Sequence, residues 1–174
     1  MNVSPPLTRQ MRKGRLAAKR VSESAMITYR LMMPTDANIA GNVFGGSIMK
    51  YMDEIAGIVA SRHAATNVVT ASIDRMNFYA PVYIGDLLIL KAAVNYVGTT
   101  SMEVGVRIEA QDPRTGRSVR TGSCYLTYVA LDSKGRPTPV PKLLLETAEE
   151  KLRFRQASIR RKLRDEERSA IEKL

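Results

Sequence analysis

The alternation of apolar and polar positions predicts one strand, one long helix and four further strands. Residues 25–32 alternate in the manner of a strand, and apolar positions then recur at helical spacing from about Gly46 to His63. Four strand-like segments follow, separated by turns rich in Gly, Pro and Asp: Val68 to Tyr79, Leu87 to Val97, Met102 to Gln111 and Ser118 to Leu131. This order predicts an α+β domain in which an antiparallel sheet wraps around a central long helix.

The predicted helix begins at two glycines and carries one acid on its apolar side. Gly45 and Gly46 leave backbone N–H groups free at the positive end of the helix, where they can stabilise an oxygen that gains negative charge. Asp53 lies seven residues after Gly46, almost two turns further along the same face. The other members of its row are Met49, Ala56 and Ala60. A charge in such a row is either a catalytic acid or a buried acid satisfied by backbone donors, and periodicity does not separate the two.

The charge of the chain is concentrated at its ends. Of the formal net charge of +10, residues 1–23 contribute six basic residues against one acid, which predicts a flexible basic arm. Residues 24–141, the predicted folded domain, are nearly balanced, which argues against a nucleic-acid-binding fold. Residues 142–174 predict a charged C-terminal helix from near Leu143. The arm is also compatible with a solubilising role, a polyanion or membrane-surface contact, or an organellar targeting segment.

The chain has one cysteine and one histidine, and these counts exclude several kinds of disulfide, metal and catalytic site. Cys124 alone forms no intramolecular disulfide and no thiolate metal cluster, and its strand pattern predicts a small buried residue. His63, predicted to follow the helix end, has no second histidine for a dyad or metal site. Hydrolysis through a Ser–His or Cys–His triad is therefore excluded, and no metal is expected. No run of 18 apolar residues predicts a transmembrane segment.

Several segments in the same order resemble the acyl-CoA thioesterase branch of the hotdog-fold superfamily, which includes bacterial short-chain and brain-type acyl-CoA hydrolases. The resemblance covers about two-thirds of the chain. It is carried by residues 33–38 (MPTDAN), 41–46 (GNVFGG), 52–54 (MDE), 75–78 (RMNF), 81–82 (PV), 85–86 (GD) and 98–104 (GTTSMEV).

This resemblance implies a single hotdog domain, since the chain shows no internal repeat. It also implies hydrolysis of acyl-CoA to a free fatty acid and coenzyme A, with no cofactor other than the coenzyme A of the substrate. Relatives of this kind pair as dimers and commonly assemble as hexamers, and the implied location is the cytoplasm.

The resemblance further implies that Asp53 and Asn38, fifteen residues earlier, are the catalytic pair. Asp53 would act as general base on water, with nucleophilic attack through an anhydride as the alternative, and Asn38 would orient the water or the thioester. Backbone N–H groups of Gly45 and Gly46 would receive the oxyanion. Asn42 is a rival candidate for the role given to Asn38. The acid of one subunit would work with the asparagine of its partner.

Three other groups are candidates for substrate contacts. Phe78 would line the acyl or pantetheine channel, although a core aromatic in a strand is the ordinary interpretation. The turn Gly98, Thr99, Thr100 and Ser101 would contact pantetheine or pyrophosphate, although a hairpin needs such residues anyway. Cations of the C-terminal helix would bind the coenzyme A phosphates, unless that helix is only a solvated, amphipathic appendage packed on the sheet or on another subunit. These cations are Lys151, Arg153, Arg155, Arg160 and Arg161.

Three other functions compete with thioester hydrolysis. A hydroxyacyl dehydratase on the same fold needs a loop histidine, and Phe44 stands at that position. A non-catalytic acyl-CoA-binding or sensing protein is the main alternative. A scaffold or nucleic-acid-associated protein would use the charged termini, and its DNA binding would disappear when those termini are trimmed.

Overall fold

The computed structural model describes residues 16–173. The short strand β1 (Lys19–Arg20) precedes β2 (Met26–Leu31), and the long helix α1 spans Gly45–Ala64. Strands β3 (Asn67–Phe78), β4 (Leu87–Val97), β5 (Ser101–Gln111) and β6 (Ser118–Leu131) follow along the chain, and β4, β5 and β6 form a meander. The chain ends with β7 (Leu143–Leu144) and helix α2 (Ala148–Ile171).

Five strands form one antiparallel sheet in the order β2-β4-β5-β6-β3, and α1 packs across its inner face. The core lies between them because each strand turns alternate residues toward the helix. From α1 it contains Ile48, Met52, Ile55 and Val59, and from β4 to β6 it contains Leu88, Leu90, Val104, Val106 and Leu126. Burial of one such side chain contributes about 1.5–3 kcal/mol. The predicted hotdog architecture is confirmed, and the predicted ends of α1 and of the five sheet strands agree to within a residue or so.

The predicted flexible arm through residue 23 is wrong for residues 19–23. Lys19 and Arg20 pair in parallel with Leu143 and Leu144, and Val21 is buried. The ammonium of Lys19 donates hydrogen bonds to two carbonyl groups at the end of α1. A cation at this helix end complements the helix dipole, and the residue is therefore held against the domain. Residues 1–15, and with them the possible targeting segment, lie outside the described residues.

Helix α2 begins at Ala148, five residues later than predicted. Thr147 caps it, since its side chain accepts a hydrogen bond from the Glu150 amide while the Glu150 carboxylate accepts one from the Thr147 amide. The helix lies on the outer face of the sheet, where Arg160 forms a bidentate ion pair with the buried Glu103 of β5. Arg164 reaches Asp74 of β3 at 2.6 Å.

His63 lies within the last turn of α1, so the prediction that it follows the helix end is wrong. The ring is fully buried and its Nε2–H donates to the carbonyl of Pro141 at 2.9 Å. Burial lowers its pKa and so favours the neutral imidazole at this helix end. Cys124 is a buried free thiol, as predicted. Among the described helices, none combines the length and apolar character needed to cross a membrane.

Candidate active site

Asp53 lies at the margin of the buried face of α1, and two hydroxyl groups of the sheet hold its carboxylate in place. Its Oδ1 accepts a hydrogen bond from Thr70 of β3 at 2.8 Å and one from Tyr128 of β6 at 2.7 Å. Thr70 and Tyr128 are cross-strand partners on the helix-facing side of the sheet. Oδ2 of Asp53 accepts no hydrogen bond from residues 16–173. The carboxylate is therefore anchored through one oxygen, and its other oxygen is open to a ligand.

The row of α1 that contains Asp53 is buried only in part. Ala56 and Ala60 are in the core, whereas Met49 is 40% exposed and Asp53 itself is half-buried. The carboxylate therefore stands where the row passes from the core to an open surface. A catalytic acid needs both properties, because it must be held in place and must also reach its substrate.

The start of α1 presents unpaired backbone N–H groups. Phe44 precedes the helix and provides no side-chain cap, and no group in the described chain accepts a hydrogen bond from the amides of Gly45 or Gly46. The ring of Phe44 lies directly over Gly46, where a Cβ atom would collide with it. The exposed ring of Phe78 approaches Gly45, 3.5 Å from the position of a Cβ atom. The two glycines thus provide free donors, and their lack of side chains lets two aromatic rings lie close to the helix start.

Asn38 lies in the loop between β2 and α1, where its side chain shapes the loop and keeps a free donor. Its Oδ1 accepts hydrogen bonds from the amides of Ala40 at 2.9 Å and Asn42 at 3.2 Å. Its Nδ2 group has no acceptor among the described residues. Asn42 closes the turn by accepting the Asn38 amide and bridges to Tyr83. Asn38 and Asp53 form no hydrogen bond with each other within one protomer over residues 16–173.

The other predicted substrate contacts are not brought to Asp53 within one protomer. The turn from Gly98 to Ser101 is tied into the fold, since its carbonyl groups accept hydrogen bonds from β6 and from the segment after it. The donors are the Ala130 amide to Thr100, the Val140 amide to Thr99 and the Lys142 ammonium to Gly98. Arg153 and Arg155 lie on α2, on the opposite side of the sheet from α1. Arg153 is paired with Glu149, and Arg155 is exposed.

Thr70 and Tyr128 were missed by the sequence analysis. Both are polar residues at positions where their strands turn toward the helix, among Val68 and Ile73 in β3 and Cys124, Leu126 and Ala130 in β6. For Tyr128 this interruption of an apolar row is the same signal that singled out Asp53. Thr70 gives no such signal in the sequence, because Ser72 follows it in the alternation and a bulge brings Ile73 to the same face. Over the described part of the chain, no group of three or more His, Cys, Asp or Glu side chains is arranged to hold a metal ion.

Comparisons with known proteins identify the family. A family model for the thioesterase superfamily matches residues 40–117. A Bacillus subtilis protein named as an acyl-CoA thioester hydrolase is 41% identical over 128 residues, which cover 74% of this chain and 74% of that protein. The cytosolic acyl coenzyme A thioester hydrolase of the rat is 42% identical over 137 residues, 77% of this chain. The match spans only 36% of the rat protein, so the chain corresponds to about a third of that enzyme.

Solved structures agree with this assignment. An apo-hexameric acyl-CoA thioesterase superposes with a TM-score of 0.84 at 40% identity, covering 87% of this chain and 97% of that one. An acyl-CoA hydrolase from Staphylococcus aureus, solved with butyryl coenzyme A and coenzyme A, gives 0.84 at 39% identity over 90% of this chain and 95% of that one. Alanine variants of the S. aureus enzyme at an asparagine, an aspartate and a threonine have also been solved, and these residues follow one another at intervals of fifteen and seventeen positions. The chain belongs to the thioesterase superfamily, in the acyl-CoA thioester hydrolase family.

Proposed function

We propose that this protein hydrolyses acyl-CoA thioesters to a free fatty acid and coenzyme A, with Asp53 as the group that activates water. The observation that carries the proposal is the asymmetric anchoring of Asp53. Two hydroxyl groups hold Oδ1, while Oδ2 remains open on the helix that begins with two unpaired glycine amides. A thioester carbonyl is already reactive, so positioned water, a base and donors for the developing oxyanion suffice for hydrolysis.

The spacing of polar residues supports the same assignment. Asn38 precedes Asp53 by fifteen residues, and Thr70 follows it by seventeen. These are the intervals between the three residues replaced in the S. aureus enzyme. The third position of that set corresponds to Thr70, which donates to Asp53 here. Thr70 therefore joins the proposed site as a positioning residue for Asp53.

The reaction would proceed in two steps. Asp53 takes a proton from water through Oδ2 while the water oxygen attacks the thioester carbon, and the carbonyl oxygen becomes an oxyanion at the amides of Gly45 and Gly46. The oxyanion then reforms the carbonyl, the carbon–sulfur bond breaks, and the proton held by Asp53 passes to the departing thiolate. A single turnover in ¹⁸O-water tests this route against an anhydride with Asp53. General-base hydrolysis labels the fatty acid in the first turnover, whereas water attack on the Asp53 carbonyl of an anhydride labels the enzyme.

The proposal places the smallest active unit in a dimer, where Asn38 of one protomer serves Asp53 of the other. The absence of an Asn38–Asp53 hydrogen bond within the described protomer supports this arrangement, and strand β3 is an open edge of the sheet. Mixing of inactive Asp53→Asn and Asn38→Ala chains tests it. Random exchange leaves one intact site in each mixed dimer and restores about a quarter of the wild-type activity. Activity that stays at the level of the separate variants would place both residues in one chain.

The hexamers of related thioesterases support assembly of three such dimers. In that assembly, contacts of the turn from Gly98 to Ser101, Arg153 and Arg155 with coenzyme A would come from another protomer, since the sheet separates α2 from Asp53. Phe78, beside Gly45, would contact the acyl chain or pantetheine. The cytosolic rat relative supports the same location for this protein.

The direct test is a thiol-release assay with acetyl-, hexanoyl- and palmitoyl-CoA. The proposal predicts hydrolysis of more than one chain length, and Thr70→Val is expected to reduce turnover by about tenfold by releasing one anchor of Asp53. Tight binding of acyl-CoA without hydrolysis of any of the three would favour the alternative, an acyl-CoA-binding protein without catalysis. Isothermal titration with the same three compounds distinguishes the two outcomes.

A further inference from the structure

Tyr128 is the largest fully buried side chain of the domain, and its hydroxyl ends at Asp53. Only 2% of the residue is exposed, yet the hydroxyl oxygen lies 2.7 Å from Oδ1 of Asp53 and 3.0 Å from the Asp53 carbonyl oxygen. A buried phenol needs a partner for its hydroxyl, and both available acceptors belong to the same residue. In this structure the hydroxyl proton is therefore directed at Asp53.

The Tyr128 ring packs on helix α1 at Gly57, one turn after Asp53. The Tyr128 ring passes over Gly57, and its nearest atoms lie 3.7 and 3.8 Å from the position of a Cβ atom. These are ordinary van der Waals distances, so the ring lies in direct contact with this part of the helix.

The Tyr128 hydroxyl remains a donor throughout the working pH range. Burial raises its pKa well above the ordinary value, and the hydrogen bond to Asp53 raises the pKa further. The Thr70 hydroxyl, the other donor to Oδ1, does not ionise. Both anchors of Asp53 are therefore fixed donors to the same oxygen.

We infer that Tyr128 is a positioning residue for the reaction: its hydroxyl, with that of Thr70, holds Oδ1 of Asp53 so that Oδ2 alone faces the water to be activated. This inference rests on the proposed function. An unanchored carboxylate rotates about its Cβ–Cγ bond and presents either oxygen, whereas two donors on Oδ1 fix the carboxylate plane. Tyr128 itself touches no substrate and transfers no proton.

Few other charges face this carboxylate. From β6, Cys124 lies on the same inward row as Tyr128, and burial raises the pKa of its thiol to about 11. From β3 comes the neutral Thr70. On α1 the nearest charged residues in sequence are Glu54 and Lys50, both exposed. A change in the pH profile on removal of the Tyr128 hydroxyl therefore reports the loss of a donor to Asp53.

The test compares Tyr128→Phe with Tyr125→Phe. Tyr125 lies on the same strand but faces α2, where its ring stacks under the guanidinium of Arg160. Tyr128→Phe is expected to lower kcat about tenfold with KM within about twofold. The acid limb of its pH profile is expected to differ from that of the wild type, because Asp53 has lost a hydrogen-bond donor. Tyr125→Phe is expected to leave kcat and the pH profile unchanged.

Two results would overturn the inference. One is a folded Tyr128→Phe protein with unchanged kcat and an unchanged acid limb. The other is a loss of kcat that follows a lower melting temperature with no change in the pH profile, which would make Tyr128 purely structural. Asp53→Asn, assayed in parallel, separates this inference from the proposed function. If Asp53→Asn is inactive while Tyr128→Phe is unaffected, only the role of Tyr128 fails, whereas an active Asp53→Asn removes the proposed function itself.

Discussion

The hydroxyl of Tyr51 donates a hydrogen bond to Oδ1 of Asp36 at 2.6 Å, and this bond ties α1 to the loop that carries Asn38. The other oxygen of Asp36 accepts the amide of Met33 at 3.0 Å, and its backbone carbonyl accepts the amide of Phe44 at 2.7 Å. One buried acid therefore connects both ends of the loop with the helix. The position of Asn38 and the start of α1 depend on the same residue.

Removal of the Tyr51 hydroxyl is expected to loosen this loop. Tyr51→Phe should lower the free energy of unfolding by about 1 kcal/mol, the usual loss for one hydrogen bond. It should reduce kcat more than it changes KM, because Asn38 is then less well positioned. Chemical denaturation and thiol-release kinetics measure the two effects, with the exposed Tyr83→Phe as control. A Tyr51→Phe protein with wild-type kcat would show that the contact between Tyr51 and Asp36 is not needed to position Asn38 for catalysis.

From the contact between Tyr51 and Asp36 we also expect the stability of the fold to depend on pH in the acid range. The hydrogen bond from Tyr51 holds the pKa of Asp36 below its ordinary value of 3.8, with the Met33 amide and the charge of Arg30 acting in the same direction. A carboxylate with a lowered pKa stabilises the fold above its ordinary pKa, and this contribution is lost as the pH falls further. The contribution of Asp36 should therefore be complete at neutral pH. In Asp36→Asn the loss of stability relative to wild type should be largest at neutral pH and smaller below pH 3.8.

Because His63 is buried, we expect a second pH dependence of stability, closer to neutral pH. Burial lowers its pKa below the ordinary value of 6.5, so the unfolded chain binds a proton more readily than the folded protein. Stability is therefore expected to decline as the pH falls below 6.5. His63→Gln keeps an N–H group for the Pro141 carbonyl but does not titrate. Melting temperatures from pH 7.5 to 5.5 should fall less in His63→Gln than in wild type, and parallel curves would contradict the assignment.

The contact between α2 and the sheet depends on a buried ion pair. Glu103 is 2% exposed and forms a bidentate pair with Arg160, whose side chain is 15% exposed. Glu103→Gln leaves the guanidinium without its counterion and should cost about 3 kcal/mol of stability. Glu149→Gln removes the partner of Arg153 at the exposed side of the same helix and should cost less than about 0.5 kcal/mol. Equal effects of the two variants in urea denaturation would contradict this account of α2.

The strands and the central helix were predictable because each has a clear periodicity. The alternation from Met102 to Gln111 fixes one strand, and the apolar spacing after Gly46 fixes α1. The pairing of Lys19 and Arg20 with residues 143–144 was not predictable, since a two-residue strand has no periodicity and its partner is distant in sequence. The same limit explains the late start of α2, where the capping residue Thr147 follows a segment that pairs as a strand.

Part of the candidate site could also be predicted. Asp53 and the glycines are neighbours in sequence, so the helix repeat places them on one face. Thr70 and Tyr128 come from two different strands, and only the packing of α1 across the sheet brings both hydroxyls to one oxygen of Asp53. Periodicity gives the face of a strand but not the helix residue that it meets.

The most direct measurement is acyl-CoA hydrolysis by the Asp53→Asn variant. The substitution keeps the size of the side chain and an oxygen that can accept the Thr70 and Tyr128 hydroxyls, so the fold and assembly should persist. The amide cannot take a proton from water, and turnover of acyl-CoA should fall by on the order of a hundredfold or more. A folded Asp53→Asn protein that releases coenzyme A at the wild-type rate would contradict the central claim that this carboxylate performs the chemistry.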